Sequence, residues 1–361
     1  MRLTTLNVHF VAAPWMELMR ARTMQVRVVR IKPSEVKMPN RILQSAMLAS
    51  IVWGSMLAAA PALAAGIQAL KLPADGASPA LSGAIWYPCA AAPTAMKLGP
   101  FPLSAVKDCP VAGTKLPLIV VSHGRGGSFL GHRDTAQVLA DAGFVVAAIS
   151  HPGDNAQDTS RSNELSVFVE RPADIKRLVD HLLGTWVGAS ALDPDRIGLF
   201  GFSRGGYTGL VVVGAQPRFG PALRMCAGRT DALCEEVHQG RLAPLVHDER
   251  IKAAVIADPL SIFFTNTSFD AVRVPIQLWR SEQGGDGVTP DSVAGIAEGL
   301  PTKPDLLTVR HAGHFAFLPP CPDEIAGRAP ELCTDPPDFD RAAFHAAFNA
   351  RVLDFFRRML H

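Results

Sequence analysis

The chain has 361 residues, of which 48% are hydrophobic and 19% are charged, and its formal net charge is +2. This length and apolar content are enough for one large buried core, and the near-neutral charge gives no indication of nucleic-acid binding. Apolar strand-like runs alternate with helical patterns, so the sequence predicts an α/β fold with a mostly parallel central sheet and helices on both faces.

The amino-terminal region is predicted to be a leader rather than part of the fold. The uncharged, apolar stretch 47–60 follows basic residues and precedes an A-x-A pattern within 61–65. This is the layout of a secretory signal peptide, which we predict over 38–64. Residues 1–37 are too long and irregular for the start of such a peptide, so we interpret them as a non-native or disordered extension upstream of a true start at Met38. An uncleaved membrane anchor is the alternative, because the apolar stretch approaches spanning length.

Cysteine usage agrees with export. All six cysteines lie within 65–361, the region predicted to form a single domain. No C-x-x-C pair or Cys/His cluster occurs, so the sequence predicts no metal site. An even number of cysteines in an exported protein indicates disulfides, with buried reduced thiols as the alternative. The spacing favours three local pairs, namely Cys89–Cys109, Cys226–Cys234 and Cys321–Cys333.

A strand-like run at 117–121 leads into a glycine-rich loop at 122–127. The glycines let backbone N–H groups turn toward a bound group, and we expect the N–H of Arg125 to be one donor of an oxyanion hole. A nest-like loop that only ends the strand is the alternative. His123, in the same loop, is interpreted as a structural residue.

Helices are predicted at 132–143, 172–183 and 341–360. The last of these carries a stripe of phenylalanine and valine on one face, which we interpret as core packing. The loop at 151–155 follows the strand next to the predicted site and is placed to border it. Its Asp154 is interpreted as a turn residue.

The most informative pattern is Gly-Phe-Ser-Arg-Gly at 201–205, which matches G-x-S-x-G. An apolar strand-like run precedes it and apolar residues that can start a helix follow. This sharp strand-to-helix turn strains the central residue and projects its side chain outward, so we predict Ser203 as a nucleophile. The N–H of Arg204 is then the first oxyanion donor. A plain glycine-rich turn is the alternative.

A serine hydroxyl needs a base, and the base needs an orienting acid. His314 follows the strand-like run 306–309, and small residues before it leave room for an imidazole to reach the serine. We therefore predict His314 as the base. His311 is the less favoured candidate, and either histidine could instead be an ordinary loop residue.

The acid has three candidates. Asp286 lies in a flexible turn after the strand-like run 276–280 and before a helix, and it is favoured on that ground. Asp258 ends the apolar run 253–257 and is the alternative acid. Glu282 is the third candidate, and each aspartate could also be a simple turn residue.

Residues 216–250 form a polar excursion between the nucleophile helix and the next strand, longer than an ordinary connection. We hypothesise that this segment acts as a cap that shapes the pocket, stiffened by Cys226–Cys234. A plain surface excursion is the equal alternative.

Taken together, these motifs resemble α/β-hydrolases of the bacterial "predicted dienelactone hydrolase" type, which are close to platelet-activating-factor acetylhydrolases. The resemblance implies Ser203 and His314 directly. It does not select one acid, because dienelactone-hydrolase-like members have the acid near the position of Asp286 and acetylhydrolase-like members have it near the position of Asp258. True dienelactone hydrolases use a cysteine nucleophile, so the serine here means that their substrate is not implied. The matching segments lie, in order, at 121–124, 149–155, 171–175, 201–206, 277–280 and 313–315.

The sequence therefore predicts a periplasmic or secreted serine hydrolase that cleaves carboxylic esters through an acyl-enzyme, with no metal or organic cofactor. Its expected partner is a small-molecule ester, with no nucleic acid and no stable membrane insertion once the leader is removed. An amidase or peptidase with the same triad and an acyltransferase stay open. A non-catalytic exported binding protein is less favoured, because Ser, Asp and His are all present in the expected order.

Overall fold

The computed structural model describes residues 64–361, with the exception of 77, 221–225 and 241–242. The predicted extension 1–37 and the signal peptide 38–64 therefore lie outside the described residues, apart from Ala64. The described residues belong to one compact unit.

The described residues form ten strands in one sheet, in the order β10-β9-β8-β7-β5-β6-β2-β1-β4-β3. The strands are β1 (Ala64–Leu72), β2 (Leu81–Cys89), β3 (Thr94–Leu98), β4 (Phe101–Lys107), β5 (Leu116–Ser122), β6 (Val145–Ser150), β7 (Leu192–Phe202), β8 (Ile251–Ala257), β9 (Ile276–Ser281) and β10 (Asp305–Val309). The six strands from β5 to β10 pair in parallel, whereas β2 pairs antiparallel with both β6 and β1.

The parallel part of the sheet is buried on both faces, as its composition requires. All seven residues of β5 are buried, and so are six of the seven in β8. Parallel strands covered by helices on both sides read as nearly continuous apolar runs rather than alternating ones. This explains why the strands that carry the site were recognisable in the sequence.

Helices cover the sheet on both sides, so the predicted α/β architecture is confirmed. On one face the core contains residues of α2, α3 and α5, and on the other it contains residues of α1 and α8. The helices are α1 (Arg133–Asp141), α2 (Ser166–Gly184), α3 (Arg204–Val212), α4 (Ala232–Gln239), α5 (Pro290–Gly299), α6 (Asp323–Arg328), α7 (Pro330–Cys333) and α8 (Arg341–Met359).

The start of α2 differs from the sequence prediction. The helix begins at Ser166, and Pro172, the predicted first residue, lies inside it. The carboxylate of Glu236, far away in the chain, accepts hydrogen bonds from the N–H groups of Leu165 (2.7 Å) and Ser166 (3.0 Å). These bonds satisfy donors that a helix start leaves open. A cap supplied from a distant segment leaves no local signal, which is why the start was misplaced.

Three disulfides join the cysteines in the pairs that the spacing favours. They are Cys89–Cys109, Cys226–Cys234 and Cys321–Cys333. Each bridge closes a short stretch of chain, so each fixes an irregular segment onto the domain rather than linking distant strands.

Helix α8 is held by phenylalanines that are buried against the sheet. Phe348 and Phe356 have no exposed surface, and a Cβ on Gly198 of β7 would lie only 2.7 Å from the Phe356 ring. The stripe predicted as core packing therefore lies in the core.

We expect Phe356→Ala to lower the free energy of unfolding by about 3–5 kcal/mol, because it removes a fully buried ring and leaves a cavity between α8 and β7. Urea unfolding would measure the change. Val187→Ala is the control, since Val187 is 84% exposed and its truncation should change stability by less than about 0.5 kcal/mol. Equal stability of Phe356→Ala and the wild type would contradict this account of the core.

Candidate active site

Three polar residues meet where the parallel strands end. Ser203 directly follows β7, Asp258 directly follows β8, and His314 lies in the loop after β10. In open α/β sheets the carboxyl ends of the strands form the edge at which ligands bind. All three side chains are buried.

Ser203 lies in the strained turn that the G-x-S-x-G pattern predicts. Its backbone has φ 55° and ψ −120°, and its N–H donates to the carbonyl of Ala257 at 2.9 Å. A Cβ at Gly201 would overlap the backbone of Gly205, and a Cβ at Gly205 would overlap the carbonyl of Ser122. Both glycines are therefore required by close approach, and the serine is fixed at the tip of the turn.

His314 is hydrogen-bonded to Asp258. The distance between His314 Nδ1 and Asp258 Oδ2 is 2.7 Å, and both side chains are 1% exposed. The carboxylate also accepts from the N–H (2.8 Å) and the hydroxyl (2.7 Å) of Ser281. Three donors thus fix the carboxylate, and the carboxylate fixes the imidazole with its proton on Nδ1.

The other ring nitrogen of His314 makes no hydrogen bond to the described part of the protein. Nε2 is buried and has no hydrogen-bond partner among the described residues. The imidazole stacks on Phe202, with ring centroids 4.7 Å apart. His314 and Ser203 line the same cavity, so the imidazole and the hydroxyl belong to one site.

Asp286, the favoured acid in the sequence, is not the carboxylate that contacts His314 in the described structure. It is exposed, has φ 46°, and lines the same cavity as Ser203 and His314. The sequence places both aspartates after strands but does not reveal which carboxylate faces the imidazole.

The remaining candidates for acid and base lie apart from Ser203, His314 and Asp258. Glu282 accepts the N–H of His311 at 2.7 Å. The His311 ring lies 3.2 Å from the exposed Asp338. These residues form a surface cluster around His311, which lies in the loop between β10 and His314, and they make no bond to Ser203 or Asp258 among the described contacts.

The two predicted oxyanion donors have uncommitted backbone N–H groups. Arg204 is the first residue of α3, a position whose N–H has no acceptor within the helix. In the loop after β5, the N–H of Arg125 has no acceptor in the described part of the chain. A Cβ on Gly124 would lie 3.3 Å from the Cβ of Ser203, so this loop passes directly beside Ser203.

The carboxylate of Asp154 joins the segments that carry these two donors. Its Oδ1 accepts from the N–H of Gly126 (3.2 Å) and the hydroxyl of Ser162 (2.7 Å). Its Oδ2 accepts from Arg171 Nη1 (2.7 Å) and Arg204 Nη1 (2.9 Å). Asp154 has no exposed surface, so it is a central structural residue and not the simple turn residue expected from the sequence.

Arg171 extends this connection to the peptide groups around Arg125. Its guanidinium donates to the carbonyl of His123, while Asp154 holds the N–H of Gly126. The loop is thus fixed on both sides of Arg125. The pair formed by Arg171 and Asp154 therefore determines where the free N–H of Arg125 points.

Both the carboxylate and the buried guanidinium of this cluster have pKa values below their usual ones, but for different reasons. Burial would raise the pKa of Asp154, but the nearby charges of Arg171 and Arg204 outweigh it and the pKa lies below its usual value. Burial lowers the pKa of Arg171 to about 10. One carboxylate thus serves two buried guanidinium groups, and its removal would leave both without their counter-ion.

A second buried chain of polar groups supports the same loop. Ser122 Oγ lies 3.0 Å from His151 Nε2, and His151 Nδ1 lies 3.0 Å from Asp174 Oδ2. The N–H of His151 donates to His123 Nε2 at 3.1 Å, and His123 Nδ1 lies 2.6 Å from the carbonyl of Gly124. Both nitrogens of His123 are therefore occupied, consistent with its interpretation as a structural residue.

The pKa values of this chain reflect its burial. Burial lowers the pKa of His123 to about 3 and holds that of His151 well below its usual value. Burial also raises the pKa of Asp174 to about 7. The two imidazoles are neutral at physiological pH.

A cavity of about 70 Å³ is lined by the loop after β5 together with Ser203 and His314. Ser203, His314, Arg125 and Asp286 contribute to its wall. Its remaining wall includes glycines and the apolar side chains of Phe202, Phe315, Leu318 and Leu332.

The excursion at 216–250 contains α4 and the Cys226–Cys234 bridge. Its buried residues pack on Phe168 of α2 and Tyr207 of α3. None of its described residues lines the cavity of about 70 Å³. The excursion therefore supports the two helices beside the site, and its role as a cap stays a hypothesis.

Sequence analysis missed Asp154 and Arg171 as site-forming residues. A usable signal was present for Arg171, because it occupies the apolar face of α2 together with Phe168, Ile175 and Leu178. An arginine at a core position needs a buried partner. The partner could not be identified from sequence, since the helix period reveals the face and not what lies opposite it.

The described residues contain neither a membrane-spanning helix nor a metal-binding cluster. No helix in that part of the chain is long and apolar enough to cross a membrane. No group of three or more His, Cys, Asp or Glu residues there is arranged to hold a metal ion.

Comparison with solved structures gives an informative likeness. The chain is similar to a solved structure described as a ferulic acid esterase from Streptomyces cinnamoneus, with a TM-score of 0.57 and 22% sequence identity. The match covers 84% of this chain and 92% of that one. No protein-family model and no curated protein matches the chain. With its parallel sheet order and helices on both faces, the chain has the α/β-hydrolase fold.

Proposed function

We propose that this protein is a serine hydrolase that cleaves carboxylic esters, with Ser203 as nucleophile, His314 as base and Asp258 as acid. The observation that carries this proposal is the buried His314–Asp258 pair, whose imidazole lines the same cavity as Ser203 and whose Nε2 has no partner among the described residues. An exposed Nε2 would be solvated by bulk water, whereas this one is buried. Such an arrangement is suited to proton transfer.

In the proposed reaction, Ser203 Oγ attacks the ester carbonyl carbon while its proton passes to His314 Nε2. Asp258 keeps the other proton on Nδ1 and stabilises the imidazolium that forms. When the tetrahedral intermediate collapses, the carbon–oxygen bond to the alcohol breaks and the imidazolium returns its proton to the departing oxygen. Water then attacks the acyl-enzyme by the same route and releases the acid and free Ser203.

The oxyanion of each intermediate would be met by the N–H groups of Arg204 and Arg125. Donors of this kind contribute roughly 3 kcal/mol each to transition-state stabilisation. Neither N–H has a competing acceptor in the described part of the chain. The hydrogen bonds of Asp154 to Gly126 and Arg204 would keep both segments in place before substrate arrives.

The size of the cavity supports a short acyl group. A cavity needs roughly 10–15 Å³ to admit a single water, and this one measures about 70 Å³. The enclosed part of the cavity therefore has room for a few non-hydrogen atoms, which corresponds to a short acyl chain. We place the acyl group in the cavity, because it stays bonded to Ser203 while the alcohol must leave toward solvent.

Two finer assignments follow from this proposal. With Asp258 as the acid, the chain matches the acetylhydrolase-like branch of the resemblance rather than the dienelactone-hydrolase-like branch. Export to the periplasm or the medium fits the three disulfides, because such bonds persist in oxidising compartments. The predicted signal peptide would direct that export. The name of the similar structure, a ferulic acid esterase, is consistent with ester chemistry on this fold.

We expect wild-type protein to hydrolyse p-nitrophenyl acetate and butyrate and to be much less active on octanoate and feruloyl esters, because the cavity holds only a short acyl chain. Ser203→Ala should abolish the activity at unchanged melting temperature. Initial rates with the purified domain would measure the acyl-length preference and the loss of activity, and a melting curve would compare the stability of the two proteins. Residual hydrolysis in Ser203→Ala at the wild-type rate would overturn the assignment of the nucleophile.

We expect Asp258→Asn to lower kcat by about 10³–10⁴-fold, because the amide neither fixes the imidazole tautomer nor stabilises the imidazolium. Asp286→Asn is the matched variant, since it makes the same chemical change at the carboxylate that lines the cavity with Ser203 and His314, and it should leave kcat almost unchanged. Steady-state kinetics on p-nitrophenyl acetate would compare the two. The opposite order of effects would return the role of acid to Asp286.

We expect Asp154→Asn to lower kcat by more than tenfold with little change in KM, because a loosened oxyanion loop weakens transition-state binding more than substrate binding. Asp158→Asn, an exposed change in the same loop, should leave kcat and KM as in the wild type. A smaller fraction of folded protein would also lower the apparent kcat. Melting curves of both variants would identify such a loss. A wild-type kcat in folded Asp154→Asn would contradict the positioning role.

A further inference from the structure

The segment between the His314 turn and α8 has no role in the proposed reaction. Its residues 321–333, which we call the bridged segment, contain α6 and α7, and the Cys321–Cys333 disulfide joins their two ends. Leu332 of α7 lines the cavity of about 70 Å³ together with Ser203 and His314. The bridged segment therefore forms part of the wall of the candidate active site, although it belongs to no strand of the sheet.

A largely buried arginine attaches the bridged segment to α8. Arg341, the first residue of α8, is 7% exposed, and its Nη1 donates to the carbonyl of Leu332 at 2.7 Å. Its Nε and Nη2 donate to the two carboxylate oxygens of Asp335 at 2.7 and 2.8 Å. Near the other end of the segment, Arg133 Nη2 donates to the carbonyl of Pro320 at 3.1 Å. Because a bidentate pair of this kind adds geometric specificity, the backbone of Leu332 has a fixed place relative to α8.

The bridged segment also contacts the turn that carries the proposed base. Helix α7 packs against the short helical turn His314–Phe317. Within that turn and directly after it, Phe315 and Leu318 line the same cavity as Leu332. These three side chains are partly exposed, and apolar surface gains free energy when a bound apolar group covers it. This apolar wall therefore suits the hydrocarbon part of an acyl group.

Among the apolar side chains of this wall, Leu332 is the one whose size can change without disturbing a proposed catalytic group. Phe202 stacks on the ring of His314. Phe315 and Leu318 belong to the turn of His314 or directly follow it. Leu332 lies outside that turn, and Arg341 holds its backbone carbonyl rather than its side chain. A substitution of the Leu332 side chain therefore changes the space in the cavity and leaves the catalytic groups in place.

We propose that the bridged segment is the cap of this site and that Leu332 limits the length of the acyl chain that the enzyme accepts. This inference rests on the proposed esterase function. The cavity has room for only a few non-hydrogen atoms, so a longer acyl chain must meet its wall. A smaller side chain at this position would extend the space. The excursion at 216–250, the alternative cap, contributes none of its described residues to that wall.

The test varies only the acyl length of the substrate. The substrates are p-nitrophenyl acetate, butyrate and hexanoate, and the readout is kcat/KM on each longer ester divided by kcat/KM on acetate, corrected for spontaneous hydrolysis. We expect Leu332→Ala to raise the hexanoate-to-acetate ratio by about tenfold or more, because a single methylene in a hydrophobic pocket already changes kcat/KM by about that factor. Both rates come from the same protein sample, so a loss of folded protein cancels in the ratio.

Leu332→Phe is the opposite change at the same position. Its larger side chain would reduce the space in the cavity, so it should lower the butyrate-to-acetate ratio below that of the wild type. Opposite shifts from two substitutions at one position cannot come from a general loss of stability. If Leu332→Ala does not fold, the result for Leu332→Phe still decides the proposal.

Leu233→Ala is the matched control, because it truncates a partly exposed leucine of α4 in the excursion at 216–250. It should keep both ratios at their wild-type values. A shift in Leu233→Ala as large as that in Leu332→Ala would contradict the assignment of the cap to the bridged segment.

The outcomes separate this inference from the function on which it rests. Serine-dependent hydrolysis with wild-type ratios in both Leu332 variants would overturn the role of Leu332 and leave the esterase proposal intact. If Ser203→Ala and wild type are equally inactive on all three esters, both the esterase proposal and this inference fail.

Discussion

The buried carboxylate of Asp154 is the constraint on which the rest of the site depends. It accepts hydrogen bonds from two guanidinium groups, one backbone N–H and one hydroxyl. These donors come from the loop after β5, the loop before α2, helix α2 itself and the first residue of α3. A fully buried charge is stable only when it is paired. If these four segments separated, the carboxylate or a guanidinium group would be left buried without its partner or exposed to water. Their relative position is therefore fixed by electrostatics as well as by packing.

Backbone strain accompanies this rigidity at the same edge of the sheet. Ser203, Asp258 and Asp286 all have positive φ values between 44° and 55°, a region that residues with a Cβ rarely adopt. Such conformations persist only where the surroundings determine them fully. For Ser203 the surroundings are close glycine contacts, and for Asp258 they are the three donors that hold its carboxylate. The strain marks the positions where the chain turns sharply to present a side chain.

How far the sequence predicted the structure depended on whether the decisive contact was local. The turn around Ser203 was predictable, because its glycines and flanking strand lie within one short segment. The local disulfide pairs were predictable for the same reason. The partner of His314 was not, since Asp258 and Asp286 occupy equivalent places after their strands and only the three-dimensional arrangement selects one of them. Asp154 and the distant cap of α2 depend on contacts between remote segments, which no periodicity records.

The cap of α2 links the excursion at 216–250 to the interior of the protein. Glu236 holds the first N–H groups of α2, and that helix carries Arg171, the partner of Asp154. The Cys226–Cys234 bridge ties α4, and with it Glu236, to the segment before it. A protease that cuts this surface excursion would therefore act beyond the cut. By releasing the start of α2, a cut at the protein surface would loosen the buried ion pair between Arg171 and Asp154.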